Sequence, residues 1–236
     1  MEPSREDTSL SPTEHLARDW RIFQAAESGA AGVRWSIWEA QRPVVVLGRY
    51  NRIDEWVLAN ACQRDGVEVL RRCSGGGAVV LGPGCLNYAI GLSIVSRPRL
   101  AEVAAAFRTV LACVIAELQV EGLMVAGIAD LALEGRKVSG NAQRRGRYGL
   151  LHHGTVLYDF DAALAQRYLL EPPRQPDYRA GRSHQRFLGN LPLSGATVRS
   201  KMEMACLALL RWSQSVWHPS EHMHNEADVP TTASPP

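Results

Sequence analysis

Apolar residues along the chain gather mainly in short runs of strand length. Val44–Leu47, Val67–Arg71, Ala78–Leu81, Leu86–Ile94, Leu123–Ala126, Asp130–Leu133 and Leu150–Tyr158 all read as strands, set off by glycine, proline or acidic turn residues. Val33–Glu39 is a further strand, and Ala40-Gln41-Arg42-Pro43 joins it to Val44–Leu47 as a predicted hairpin. Helical periodicity is confined to fewer segments. Ser11-Pro12-Thr13-Glu14 has the signature of a helix start: serine at the N-cap, proline at the first helical position, glutamate two positions on to close a capping box. Leu16, Trp20 and Phe23 continue that helix, and Gly29 and Gly32 end it. A short helix is expected over 54–64, stopped by Asp65-Gly66. The longest helical stripe runs from Pro98 to Leu118, with Leu100, Val103, Phe107, Val110, Leu111, Val114 and Leu118 on one face. Asp161–Leu170 and Thr197–Trp212 are predicted helices, and the proline- and arginine-rich stretch between Leu170 and Pro192 an ordered surface loop. Strands come in adjacent pairs and do not alternate with helices. The expected fold class is therefore α+β, a mixed and largely antiparallel sheet flanked by helices.

The 236 residues, 46% of them hydrophobic, suffice for one well-buried core. Residues 1–10 and 216–236 are polar and expected to be disordered, which leaves one domain over 11–215. A formal charge of +2 carries no strong nucleic-acid footprint. The five cysteines are odd in number, scattered, and form no C-x-x-C pair, so a disulfide framework or thiolate zinc site is not expected. No apolar run reaches the ~18 residues of a membrane span, and the N-terminus is too polar for a signal peptide. The expected location is the cytoplasm, with neither membrane nor nucleic acid as partner and no resident metal.

One stretch is not explained by folding. Arg71-Arg72-Cys73-Ser74-Gly75-Gly76-Gly77-Ala78 places three glycines in a row, each costing about 0.5–1 kcal/mol in a regular element relative to alanine. Such a run suits a backbone that approaches a ligand closely, with N–H groups turned to an anion. A P-loop would follow its last glycine with lysine and serine or threonine; a dinucleotide fingerprint would open a helix. Here Ala78-Val79-Val80 follows, so neither fits, and a glycine-rich turn is the plain alternative. The paired arginines favour the anion reading, since guanidinium is the preferred partner of phosphate and carboxylate. A second segment, Gly135–Gln143, frames Lys137 with glycines and small polar residues. That suits an ammonium aimed into a site, though a solvated lysine on a turn fits equally. In Leu151-His152-His153-Gly154-Thr155 the two histidines must face opposite sides of a strand, one of them inward. Arg144-Arg145-Gly146-Arg147 and Arg174, Arg179, Arg182 and Arg186 read as solvated surface or as a face for an acidic partner. The tail histidines His218, His222 and His224 carry no assignment.

Taken together the motifs resemble the lipoate–protein ligase family, within the biotin and lipoate protein ligases. They are Arg71-Arg72-x-Ser74-Gly75-Gly76-Gly77-Ala78-Val79, Leu86-Asn87-Tyr88, Gly127-x-x-Asp130, Gly135–Gln143 and His153-Gly154-Thr155, in family order across residues 71–155. The resemblance implies a fold related to class II tRNA synthetases. It also implies activation of lipoate or octanoate by ATP with Mg2+, then transfer of the acyl group to a lysine of a lipoyl domain. Lys137 would be the catalytic residue. Arg71, Arg72, Ser74, Gly75, Gly76, Gly77, Ala78, Asn87, Asp130, Ser139, Gly140, Ala142, His153, Gly154 and Thr155 would bind acid and nucleotide, with Val79, Leu86 and Tyr88 along the acyl chain.

A related branch of the same fold dispenses with ATP and carries the acyl group on a cysteine, which lies roughly a dozen residues before the lysine motif in one type and a few tens of residues after it in another. No cysteine lies between Cys113 and Cys206, so that branch would have to use Cys73 or Cys85 to draw on an acyl carrier or a lipoylated protein. A non-catalytic acyl-binding protein is the third reading. Val80-Leu81-Gly82-Pro83-Gly84 stands where many ligases have a His-Asp pair, Cys85 where asparagine is frequent, and Ala129 where asparagine commonly precedes the aspartate. The chain is also too short for the C-terminal accessory domain of some ligases. A separate accessory subunit, or the transfer half-reaction alone, is an open expectation.

Overall fold

The computed structural model describes residues 10–212 apart from Ala31 and Val33. The predicted disordered ends, the tail histidines and the last residues of the 11–215 domain lie outside the described residues.

Helix α1 (Pro12–Ser28) begins at Ser11 with the predicted capping box and ends at Gly29, whose φ of 71° lies in the left-handed region. Strands β1 (Trp35–Glu39) and β2 (Val44–Leu47) follow, then two short helices, α2 (Ile53–Trp56) and α3 (Ala59–Asp65). They replace the single predicted helix over 54–64 because Val57 is extended and bridges to Leu169. Next come β3 (Val69–Arg71), β4 (Ala78–Leu81) and β5 (Cys85–Ser93). The long stripe from Pro98 divides into a 3-10 turn, Pro98–Ala101, and α4 (Val103–Leu118). Glu102 is the cause, since its carboxylate accepts from the amides of Ala104 and Ala105 and so starts the helix there. Strands β6 (Met124–Ala126), β7 (Asp130–Leu133), β8 (Arg136–Arg145) and β9 (Gly149–Leu157) precede α5 (Ala162–Tyr168), the single turn α6 (His184–Phe187) and α7 (Gly195–Arg211).

The large sheet has six strands in the order β1-β5-β9-β8-β7-β6, every pairing antiparallel. The small sheet is β3-β2-β4, parallel on one side of β2 and antiparallel on the other. The mixed, largely antiparallel α+β architecture is thus the one expected. The β1–β2 hairpin is not: β1 pairs with β5 in the large sheet and β2 is the centre of the small one. Val44–Leu47 is buried at all four positions, which suits a central strand and not a hairpin arm with one wet face. Strand β8 runs through the lysine motif to Arg145, an element the sequence pattern does not mark.

Two large apolar cores result, beside a small cluster of Ile22, Phe23, Ala89 and Leu151 where α1 meets the sheet. One joins the large sheet to α4 and α7 through Tyr88, Ile90, Leu111, Val114, Leu150, Val198 and Met202. The other lies beside the small sheet around Val45, Leu47, Leu81, Cys85, Phe160 and Leu169. Neighbouring residues of β5 and β9 contribute to different cores, Leu86 and Val156 to the first and Cys85 and Leu157 to the second.

Candidate active site

A cavity of about 330 Å3 is lined by both sheets, α1, α2, α5 and the segment 169–188. The glycine run forms one wall. Gly76 has a φ of 87°, a conformation only glycine adopts without strain. Two close approaches explain the other small residues. A Cβ on Gly48 would sit 2.0 Å from the Gly76 carbonyl oxygen, and one on Gly77 would sit 2.3 Å from the Trp56 ring. The backbone of 48–51 holds the run from below: Gly48 N donates to Gly77 O at 3.0 Å, Arg49 N to Ser74 O at 2.8 Å, and Asn51 Nδ2 to Gly76 O at 2.6 Å.

Both arginines serve this loop. Arg72 is half-buried and donates to Gly75 O at 2.7 Å, Gly77 O at 2.9 Å and Ser74 Oγ at 3.1 Å; desolvation pushes its pKa down to about 10. Arg71 Nη1 reaches the carbonyls of Gly48, Arg49 and Asn51 at 2.8–3.0 Å and lies outside the cavity lining. The sequence pattern points these guanidiniums at an anion. In the structure their contacts are to carbonyl oxygens, so they shape the loop whose amides the pattern emphasises.

Lys137 lines the same cavity. Its ammonium is 2.8 Å from Asp130 Oδ1, and Tyr178 donates to Asp130 Oδ2 at 2.8 Å. Burial, then Asp130, pushes the Tyr178 pKa upward, so the phenol stays a donor. A Cβ on Gly140 would come within 2.7 Å of Lys137 Cε and 2.8 Å of Nζ, which explains the glycine in the lysine motif. Asn141, on the same strand, directs Oδ1 to where a Gly154 Cβ would be, at 1.9 Å, and accepts from Tyr88 O–H at 2.5 Å.

The two histidines of β9 face opposite ways, and both are buried. His152 lies against Tyr88 and Phe107, hydrogen-bonded to Tyr88 and Gln143. Burial pushes its pKa down to about 3, so it is neutral. His153 lines the cavity, with Nε2 2.6 Å from Ser74 Oγ and Nδ1 2.7 Å from Asp19 Oδ2.

The structure therefore brings Arg72, Gly76, Gly77, Ala78, Asn87, Asp130, Lys137, Gly140, Ala142, His153, Gly154 and Thr155 to one cavity. Arg71, Ser74, Gly75 and Ser139 lie behind its wall. Of the arginine cluster, Arg174 and Arg179 reach the lining, while Arg182 donates to Gly135 O and Tyr178 O. Asp19, Trp56 and Tyr178 are additions that no sequence motif marks. None of the five cysteines lines the cavity. Cys73, the nearest in sequence to the glycines, has its pKa pushed up to about 11, chiefly by burial and then by Asp19. Cys85 is fully buried and also shifted upward by burial.

Six antiparallel strands and a cavity lined by a glycine run and a lysine are features of a protein of the biotin and lipoate ligase fold. The chain belongs to the lipoyl protein ligase A/B catalytic domain family, whose model matches residues 11–203. Octanoyltransferase LipM from Carboxydothermus hydrogenoformans is 34% identical over 175 residues, covering 65% of this chain and 63% of that protein. The chain spans less than two thirds of the length of the curated relatives it matches. Among solved structures, protein Ta0514 from T. acidophilum with bound lipoic acid aligns with a TM-score of 0.69 at 20% identity, covering 86% of this chain and 83% of that one. Lipoate-protein ligase A bound with ATP aligns with a TM-score of 0.67 at 20% identity, covering 87% and 85%. At these identities the likeness is one of fold. No helix among the described residues is long and apolar enough to cross a membrane.

Proposed function

We propose that the protein activates lipoate or octanoate with ATP and transfers the acyl group to a lysine of a lipoyl domain. The observation that carries this reading is the content of the cavity: its lining holds both a lysine and the glycine run, and none of the five cysteines. Lys137 Nζ is placed to bind the acid's carboxylate and the α-phosphate on one side while Asp130 holds it on the other. As the carboxylate attacks phosphorus and pyrophosphate leaves, and again as the acceptor amine attacks the acyl carbon, negative charge grows on oxygens within reach of that ammonium. The glycine wall admits the acyl-phosphate linkage because no Cβ stands before it. The apolar lining from Leu16, Trp38, Val46, Leu81 and Leu157 suits a saturated chain.

The donor set fits a nucleotide-held magnesium ion. Mg2+ usually takes one or two carboxylates with phosphate oxygens. Asp130 is the cavity carboxylate beside Lys137, whereas Asp19 is held by His153. Among the described residues no cluster of three His, Cys, Asp or Glu side chains offers a cage of its own.

The similarity to an octanoyltransferase favours one second reading, acyl transfer without ATP through a cysteine thioester. Cys73 is its nearest thiol, and the upward shift of that thiol opposes thiolate formation. Exchange of labelled pyrophosphate into ATP, dependent on lipoate or octanoate, tests the first reading. Lys137→Ala is expected to reduce it by about 10²–10³, or about 3–4 kcal/mol of transition-state stabilisation, and Cys73→Ala to leave it unchanged. No exchange with either acid refutes the ligase reading.

A further inference from the structure

Three buried side chains and the half-buried Arg72, from three parts of the chain, form one hydrogen-bonded line behind the glycine run. Arg72 Nε donates to Ser74 Oγ at 3.1 Å, Ser74 Oγ is 2.6 Å from His153 Nε2, and His153 Nδ1 is 2.7 Å from Asp19 Oδ2. The last three groups have the order and spacing of a serine nucleophile with its base and orienting acid. Two facts exclude that use. Ser74 is 1% exposed and outside the cavity lining, and its oxygen already accepts from a guanidinium.

Charge gives the line a different purpose. Among the described residues Arg72 makes no ion pair with a carboxylate, and Asp19, 4% exposed, leaves Oδ1 buried without a hydrogen-bond partner. The half-buried guanidinium and the buried carboxyl group are thus joined through a hydroxyl and an imidazole and do not touch. With one proton on the His153 ring, the donors have the one direction that sets an N–H toward Asp19. A carboxylate only accepts, so the His153 proton sits on Nδ1; Nε2 becomes an acceptor for the Ser74 hydroxyl; the Ser74 lone pairs are left for Arg72. Arg72 in turn holds the carbonyls of Gly75 and Gly77. In a trans peptide the N–H points opposite to the carbonyl, so the Gly76 amide is directed away from Arg72.

We propose that Asp19 is a positioning residue of the acid-binding site: by fixing the His153 tautomer it sets the direction of the His153–Ser74–Arg72 line and with it the shape of the glycine wall. Asp19 lies on α1, 134 residues before His153, and belongs to none of the motifs. The kinetic consequence rests on the ligase reading; the tautomer does not.

The test uses the full chain labelled with 15N-histidine. Two-bond 1H–15N correlation spectra are expected to show a wild-type histidine protonated on Nδ1, assigned to His153 by its loss in His153→Gln. Asp19→Asn is expected to remove that signature and to raise the KM for lipoate in pyrophosphate exchange by about 10–100-fold, with a smaller change in kcat. That range is typical when a partner fixing the tautomer of a metal-bound histidine is lost. A wild-type His153 without a proton on Nδ1 overturns the proposal, and that spectrum decides even where the Asn variant does not fold. An Asp19→Asn protein with wild-type KM also overturns it. Absence of exchange in the wild type refutes the ligase reading alone, and the spectra still decide the role of Asp19.

Discussion

Lys137 owes its position to what its neighbours lack as much as to what they carry. Asp130 draws the ammonium from one side, and the missing side chain of Gly140 leaves the space in which Cε and Nζ lie. Gly140→Ala introduces a methyl group 2.7 Å from Lys137 Cε, too close for contact, and the flexible lysine end must yield. Strand β8 is not strained by this change, because Gly140 has no left-handed φ. The expected outcome is a fall in pyrophosphate exchange of at least about tenfold, since a misplaced catalytic group costs up to ~10² in rate, while stability moves by no more than about 1 kcal/mol. Urea unfolding and exchange measured on one preparation check it. Equal activity in both proteins would show that Lys137 need not occupy this space. The motif glycines thus separate by cause: Gly76 by conformation, Gly77 and Gly154 by contact with Trp56 and Asn141, Gly140 by contact with the lysine itself.

Strand β9 places neighbouring histidines in opposite environments, and that divides their roles. His153 joins the site, whereas His152 is fully buried and neutral, with its pKa pushed down to about 3 by desolvation first and His153 second. The unfolded chain takes up a proton on His152 below its ordinary value of about 6.5, while the folded protein resists until about 3, so stability falls as pH falls through that window. Between pH 7 and pH 5 the loss is about 2 kcal/mol. Buried His184, also shifted downward, acts in the same direction. Urea unfolding at the two pH values measures the loss, and His152→Gln should reduce it; an identical loss in the variant would assign it elsewhere. Elements with local signals were legible in the sequence: the capping box of α1, the strand β9, the turn at Gly66. What depends on distant partners was not. β1 and β2 read as a hairpin because they are adjacent, yet burial of β2 on both faces sends them to different sheets. Tyr178 and Asp19 complete the lysine and histidine networks from a loop and a helix whose periodicity says nothing of the cavity.

Across the whole molecule, two sheets and the 169–188 segment bring the glycine run and the lysine motif to one cavity, although neither motif contacts the other in sequence. Order and composition of the motifs were enough to expect this meeting. The relatives include an octanoyltransferase and a lipoate-protein ligase, and the two readings proposed for this chain differ in the side chain that would serve, a lysine or a cysteine thiol. Here those side chains are a lysine in the cavity and five cysteines outside it. The most direct test is the mass spectrum of an apo lipoyl domain after incubation with the full chain, ATP, Mg2+ and lipoate or octanoate. The account predicts a single lysine carrying the acyl group, only when ATP is present, in the Cys73→Ala protein as in the wild type. An unmodified domain under those conditions, with ATP-free transfer from an octanoylated carrier that Cys73→Ala abolishes, would contradict it.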